Sequence, residues 1–189
     1  YNQEVPLMVS TNIVENGFTI PLEGALAHKD NMGNGTIIKK GDIQVMSAGT
    51  GITHSEFNSN EDHAVKVLQI WLFPNKKNVT PRYDQLSLQN IKVKNEFYQI
   101  LSPNQNDQGV WIYQNSWFSL AEFDYDKEVN YNLNLTSNGV YIFVIEGQIK
   151  VGKESLEKRD GFGIWNTENI NISALKGTKI LLMEVPMSV

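Results

Sequence analysis

A histidine and a glutamate stand two residues apart in Ile52-Thr-His54-Ser-Glu56-Phe57. On an extended chain successive side chains alternate faces, so His54 and Glu56 project from the same side. An imidazole nitrogen and a carboxylate oxygen held on one face make half of a mixed nitrogen/oxygen site for a divalent transition metal. The pair alone equally describes a strand end with a hydrogen-bonded histidine and a solvated glutamate, since two-residue matches arise readily by chance. What precedes it adds weight. Gly41-Asp42 forms a turn, and Ile43, Val45 and Met46 form a short alternating strand. Gly49 and Gly51 then permit the positive φ angles of a tight bend.

The chain holds three histidines and no cysteine. Thiolate ligands, disulfides and cysteine nucleophiles are therefore excluded. His28 follows a turn at Glu23-Gly24 and, as a core or rim residue, needs only a hydrogen-bond partner. His63 borders the polar loop 58–62, and Asp30 and Asp42 read as turn residues that bond their own backbone. Beyond residue 63 there is no histidine, so the second half is expected to bind no metal.

These residues must be positioned by strands. Short β-prone segments alternate with turn signals roughly every 8–12 residues, the pattern of a sandwich or barrel. In the first half they fall at 20–24, 25–28, 36–39, 43–46, 52–57 and 65–73. Residues 1–19 are less legible, with Val5-Pro-Leu-Met-Val9 and Ile13-Val14 through Ile20 as candidate strands. Pro74-Asn-Lys-Lys-Asn-Val-Thr-Pro81 breaks the pattern and reads as a crossover, giving expected domains 1–80 and 81–189, or a split within 75–95. A second series then falls at 98–101, 110–114, 117–123, 140–145, 148–151, 161–165, 170–174 and 178–185. Ile20-Pro-Leu-Glu-Gly-Ala-Leu-Ala is echoed by Phe143-Val-Ile-Glu-Gly-Gln-Ile-Lys, which predicts an internal duplication of one β unit. No amphipathic helix is evident. Trp111, Trp117 and Trp165 read as core or interface aromatics, and Trp165 is expected to fill the mouth of the second barrel.

With 41% hydrophobic and 20% charged residues, the 189-residue chain falls in the ordinary range for a folded soluble protein. The net charge is −5. Its basic residues are dispersed, which argues against direct binding to nucleic acid. No apolar run approaches the about 20 residues that span a bilayer, and no charged-then-apolar leader opens the chain. The expectation is a cytoplasmic protein with no membrane association; the sequence names no protein partner.

The stretch Gly41-Asp-Ile-Gln-Val-Met-Ser-Ala-Gly-Thr-Gly-Ile-Thr-His-Ser-Glu56 resembles the second metal-binding motif of a cupin barrel and, more narrowly, the signature of the pirin family. Glu23-Gly24, His28-Lys-Asp30, Met32-Gly-Asn34, Leu68-Gln-Ile-Trp71, Thr80-Pro-Arg-Tyr83, Arg159-Asp-Gly-Phe-Gly-Ile-Trp165 and Leu182-Met-Glu-Val-Pro186 extend the resemblance from about Ile20 to the C-terminus. It implies an all-β bicupin, two packed double-stranded β-helix barrels. A mononuclear metal, Fe2+ or another divalent ion, would sit in the N-terminal barrel only. Some relatives oxidise the flavonol quercetin with dioxygen, while an animal relative is a nuclear regulator of transcription. The implied functions are a metal-dependent dioxygenase acting on a small quercetin-like aromatic, or a non-enzymatic binding or regulatory protein with a degenerate site.

The family's ligands are two histidines of a His-Pro-His run together with a later histidine and glutamate. The last two carry over to His54 and Glu56, and in the dioxygenase that the resemblance implies Glu56 would be both a ligand and the candidate catalytic base, within reach of a substrate hydroxyl. The run does not carry over: its place falls near Ser10-Thr11-Asn12, and no His-x-His occurs anywhere. Asn12 and Glu15 are the alternative oxygen donors nearby. By the same pattern His28 is a barrel residue rather than a ligand.

Overall fold

The computed structural model describes residues 8–12, as backbone, and 16–187. Among these, every regular element is a strand except one turn of 3-10 helix at Leu88–Asn90. No helix there is long and apolar enough to cross a membrane. The expected strand at Ile13-Val14 and the start of the one at Val5 lie outside the described residues. The chain divides into two compact units, Tyr1–Asn90 with Val110–Gln114, and Ile91–Gly109 with Asn115–Val189.

The first unit contains β1 (Met8–Asn12), β2 (Asn16–Glu23), β3 (Ala25–Asp30), β4 (Gly35–Lys39), β5 (Asp42–Ser47), β6 (Ile52–Asn58), β7 (Lys66–Leu72), β8 (Arg82–Ser87) and β10 (Val110–Trp111). Eight of these form two antiparallel four-stranded sheets, β1-β6-β3-β4 and β7-β2-β5-β8. Phe18, Ile20, Leu26, Ile38, Ile43, Val45 and Ile52 are buried in the core. The sequence reading starts the second barrel at residue 81 or within 75–95; the first segment of the first unit ends at Asn90 and so includes β8. This strand runs along β5 from Asp42↔Ser87 to Ser47↔Arg82, and the Leu88 N–H donates to the Gly41 carbonyl. Pro74 and Pro81 interrupt a strand pattern without ending the unit, because the chain returns to the same sheet and completes its edge. The segment Val110–Gln114, read as part of the second series, also lies with the first unit, and only Val110–Trp111 is strand. It is tied there by Arg82, whose guanidinium lies 4.0 Å from the Trp111 ring centroid and donates to the Trp111 carbonyl.

The second unit contains β9 (Tyr98–Ser102), β11 (Trp117–Glu122), β12 (Lys127–Asn132), β13 (Asn138–Glu146), β14 (Gln148–Val151), β15 (Glu154–Glu157), β16 (Gly161–Ile164), β17 (Asn169–Ala174) and β18 (Lys179–Pro186). One sheet has the order β12-β17-β14-β15 and the other runs β9-β11-β18-β13-β16. Val140, Ile142, Val144, Ile149, Ile170, Ile172, Ile180 and Leu182 form its core with Phe123. Glu184 on β18 is fully buried there. Its carboxylate accepts five hydrogen bonds, from Tyr131 Oη, the backbone and side-chain nitrogens of Asn134, Leu135 N and Asn138 Nδ2, at 2.9–3.0 Å.

The echoed segments adopt the same local form. β2 and β3 meet at Gly24 (φ 73°) and β13 and β14 at Gly147 (φ 81°). In both, the register slips just before the turn, between Pro21 and Glu23 and between Val144 and Glu146. Trp165 departs from expectation: it is 58% exposed and fills no barrel mouth. Continuing the alternation of β16, it shares the side of Gly161 and Gly163, whereas Phe162 and Ile164 pack against the core.

Candidate functional site

Gly49 and Gly51 have φ of 55° and 132° and turn the chain from β5 into β6. A Cβ at Gly49 would collide with the Val79 carbonyl oxygen, so the bend also needs the missing side chain for the approach of residues 79–81. β6 then alternates with Ile52, His54 and Glu56 buried and Thr53 exposed. His54 is 4% and Glu56 5% exposed. On β3 the same alternation buries Leu26 and His28. The register sets His28 opposite Glu56 and Asp30 opposite His54.

His28, His54 and Glu56 line one small cavity together with Gly17, Thr19, Gln44, Met46, Gln69 and Trp71. Its volume is about 10 Å³, the room of about one water molecule or ion. The His28 and His54 ring centroids are 5.4 Å apart, and Tyr83 packs on His28 at 4.9 Å. The Tyr83 hydroxyl shares a hydrogen bond with Thr36 Oγ1 and donates to Gln85 Oε1 at 3.0 Å. Gln69 Nε2 donates to Glu56 Oε2 at 2.6 Å. His28 Nε2 lies 3.3 Å from Asp30 Oδ2. Asp30 further accepts from the backbone N–H groups of Met32 and Asn34 and from Asn34 Nδ2. Among the described residues, the Nδ1 atoms of His28 and His54 are buried without a hydrogen-bond partner.

Burial disfavours charge on both imidazoles, lowering their pKa values, and His28 adds to the effect at His54. Burial raises the pKa of Glu56, with the Gln69 hydrogen bond opposing it. Burial also acts on Asp30, but the hydrogen bonds from Asn34, His28 and Met32 outweigh it and leave the pKa lowered. The site therefore favours neutral imidazoles, an ionised Asp30 and a carboxyl at Glu56 that binds protons readily.

Residues 14–72 match the family described as Pirin, and residues 99–185 match the one described as Quercetinase C-terminal cupin domain. A quercetin 2,3-dioxygenase of Escherichia coli (strain K12) is 31% identical over 172 residues, covering 89% of this chain and 71% of that protein. The chain belongs to the pirin family. The bacterial pirin YhhW from Escherichia coli, crystallised in complex with nickel(II), matches with a TM-score of 0.88 at 28% identity, over 96% of this chain and 76% of that one. GK1651 from Geobacillus kaustophilus shares the fold, with a TM-score of 0.86 at 19% identity over 99% of this chain and 80% of its own.

Against the pirin pattern, His54 and Glu56 stand together in the cavity. The place of the missing His-Pro-His run falls on β1, where Ser10 pairs with His54 and Met8 with Glu56. Glu15 lies outside the described residues, and of Asn12 the backbone pairs with Ile52. His63 is on the exposed loop, bonded to Asp62. Asp42 accepts from Lys39 N and Gln85 Nε2, the turn role expected of it. Buried imidazole nitrogens without partners, beside a carboxylate, suit a divalent transition metal in kind. No ready-made cluster of three His, Cys, Asp or Glu side chains stands around a common point among the described residues. Sequence reasoning did not find Gln69, Gln44, Thr19 or Trp71. Strand parity places Gln69 and Trp71 on one face of the segment 65–73, but nothing in the sequence says which face meets the cavity.

Proposed function

We propose that the first unit holds a divalent metal ion through His54 and Glu56 and acts with it as a dioxygenase on a small, hydroxylated aromatic of the quercetin type. The observation that carries this reading is the burial of His54 and Glu56 on one cavity the size of an ion. The names of the relatives point the same way, as does nickel(II) in the related pirin. An ion there, Fe2+ or another divalent metal, would supply Lewis-acid polarisation of substrate oxygens and a centre for dioxygen chemistry.

The chain's own residues do the rest. Neutral His54 offers a nitrogen lone pair. Glu56, whose burial strengthens its hold on a proton, accepts one from a substrate hydroxyl, while Gln69 fixes its Oε2. Trp71 is 56% exposed and borders the cavity, so an aromatic ring can stack at the mouth while its oxygens reach inward. The second unit, without histidine or cysteine, serves as a metal-free barrel.

A second reading, a binding or regulatory pirin without the reaction, is favoured by the cavity's size. About 10 Å³ holds an ion or a water, whereas pockets enclosing drug-sized molecules run to roughly 300–1,000 Å³. Metal analysis of protein purified without chelator, followed by dioxygen uptake with quercetin, separates the two. Bound metal with uptake that His54→Ala abolishes supports the dioxygenase. Bound metal without uptake supports the second reading, and protein that takes up no divalent metal overturns the metal site itself.

A further inference from the structure

We propose that His28 is a third metal ligand, supplied from β3 in place of the missing His-x-His pair, with Asp30 as the carboxylate that orients it. This rests on the metal reading of His54 and Glu56 and deepens it.

Asp30 receives two backbone N–H groups and the Asn34 amide in the turn after β3. Its carboxylate is an acceptor only, so the 3.3 Å contact requires the proton of His28 to sit on Nε2. The neutral ring then carries its lone pair on Nδ1, the atom buried without a partner. A ring nitrogen that donates to a carboxylate while the other offers a lone pair is the arrangement by which proteins orient metal-binding histidines.

Placement follows from register. His28 lies directly across the ladder from Glu56, and His54 is two residues along on that strand. All three are at least nine-tenths buried and border the same cavity. Two imidazoles that share an ion at about 2.1 Å can have ring centroids up to roughly 6.5 Å apart. The observed 5.4 Å lies within that limit. Tyr83 and Asp30 hold the His28 ring from two sides and Gln69 holds Glu56 Oε2, so closure of the trio falls mainly to the side chain of His54. Two histidines and one carboxylate, with remaining positions open, form a donor set suited to a metal that must also take up a substrate. The competing occupant is a water molecule bonded to the orphan nitrogens.

The test is titration of the metal-stripped 189-residue chain with Co2+, followed by calorimetry and by the visible absorption of the bound ion. Wild type should bind one ion, and His54→Ala should lose it. His28→Phe keeps a ring in the core and removes the nitrogens; it should weaken binding at least tenfold and change the visible bands. Asp30→Asn should weaken binding by about 10–100-fold while keeping the bands close to wild type. His28→Gln, which retains a donor for Asp30, is the second variant if the phenyl ring is not accommodated, with circular dichroism confirming the fold. Wild-type affinity and bands in a folded His28 variant would overturn the role of His28, while loss in His54→Ala would leave the metal reading standing. Wild type that binds no Co2+ would overturn both, and retained binding in His54→Ala alone would overturn the metal reading of that residue.

Discussion

Replacing Glu184 by glutamine should destabilise the second unit severely, although the two side chains have the same shape. Each carboxylate oxygen of Glu184 meets donors: Tyr131 Oη and both nitrogens of Asn134 on Oε2, Leu135 N and Asn138 Nδ2 on Oε1. An amide can present its oxygen to the first group only by turning its NH2 toward the second. Two buried donors then lose their acceptor and face another donor. At about 1–3 kcal/mol for each donor left unpaired, and with weaker bonds to a neutral acceptor, the cost is about 3–5 kcal/mol. For a unit of this size that lowers its melting temperature by at least about 12 °C. Glu184→Leu removes all five hydrogen bonds, leaving Asn134 Nδ2 only Tyr131 Oη and Asn138 Nδ2 only the Asn115 carbonyl, and should be worse still. Scanning calorimetry of the two variants gives the magnitude, and amide exchange of residues 131–138 shows where the protection is lost. A Glu184→Gln variant that melts within about 3 °C of wild type would refute the role of the network. A Glu184→Leu variant more stable than Glu184→Gln would refute it equally, because apolar burial would then outweigh the polar network at this position.

Three further outcomes follow from single contacts. Gly49→Ala should cost more than about 2 kcal/mol in urea unfolding, because a Cβ would collide with the Val79 carbonyl and the residue must keep φ near 55°. At Glu122 burial is outweighed by the hydrogen bond from Lys92 and by the charges of Lys179 and Lys92, so its pKa is lowered on folding. The stability it contributes is therefore present above its unfolded value of about 4.5 and lost as pH falls through the lower folded value. Glu122→Gln should flatten that part of the acid-melting curve, and an unchanged curve would contradict the assignment. Gln69→Leu removes the hydrogen bond that opposes the raised pKa of Glu56, so Glu56 should titrate at higher pH than in wild type, as read by carboxyl NMR chemical shifts. A downward or absent shift would refute the contact.

What the sequence determined by itself was local. The period of two in residues 52–57 brings His54 and Glu56 to one face, and the Glu-Gly turns after β2 and β13 mark the duplicated unit, because alternation and positive φ are properties of neighbouring residues. The strands at Lys127–Asn132 and Glu154–Glu157 escaped notice because each buries few side chains: Tyr131 in one and Leu156 in the other are the buried ones. The tertiary structure decided what depends on register between distant segments. Asp30 is legible as a turn residue, yet that its carboxylate also meets His28, and that His28 lies opposite Glu56, follows from the pairing of β3 with β6. Gln69 reaches Glu56 from β7, β8 closes the first unit beyond two prolines, and Glu184 collects donors from a segment some fifty residues earlier. Spacing along the chain cannot encode such meetings, because a shift of one residue in register would send every one of these side chains to the opposite face.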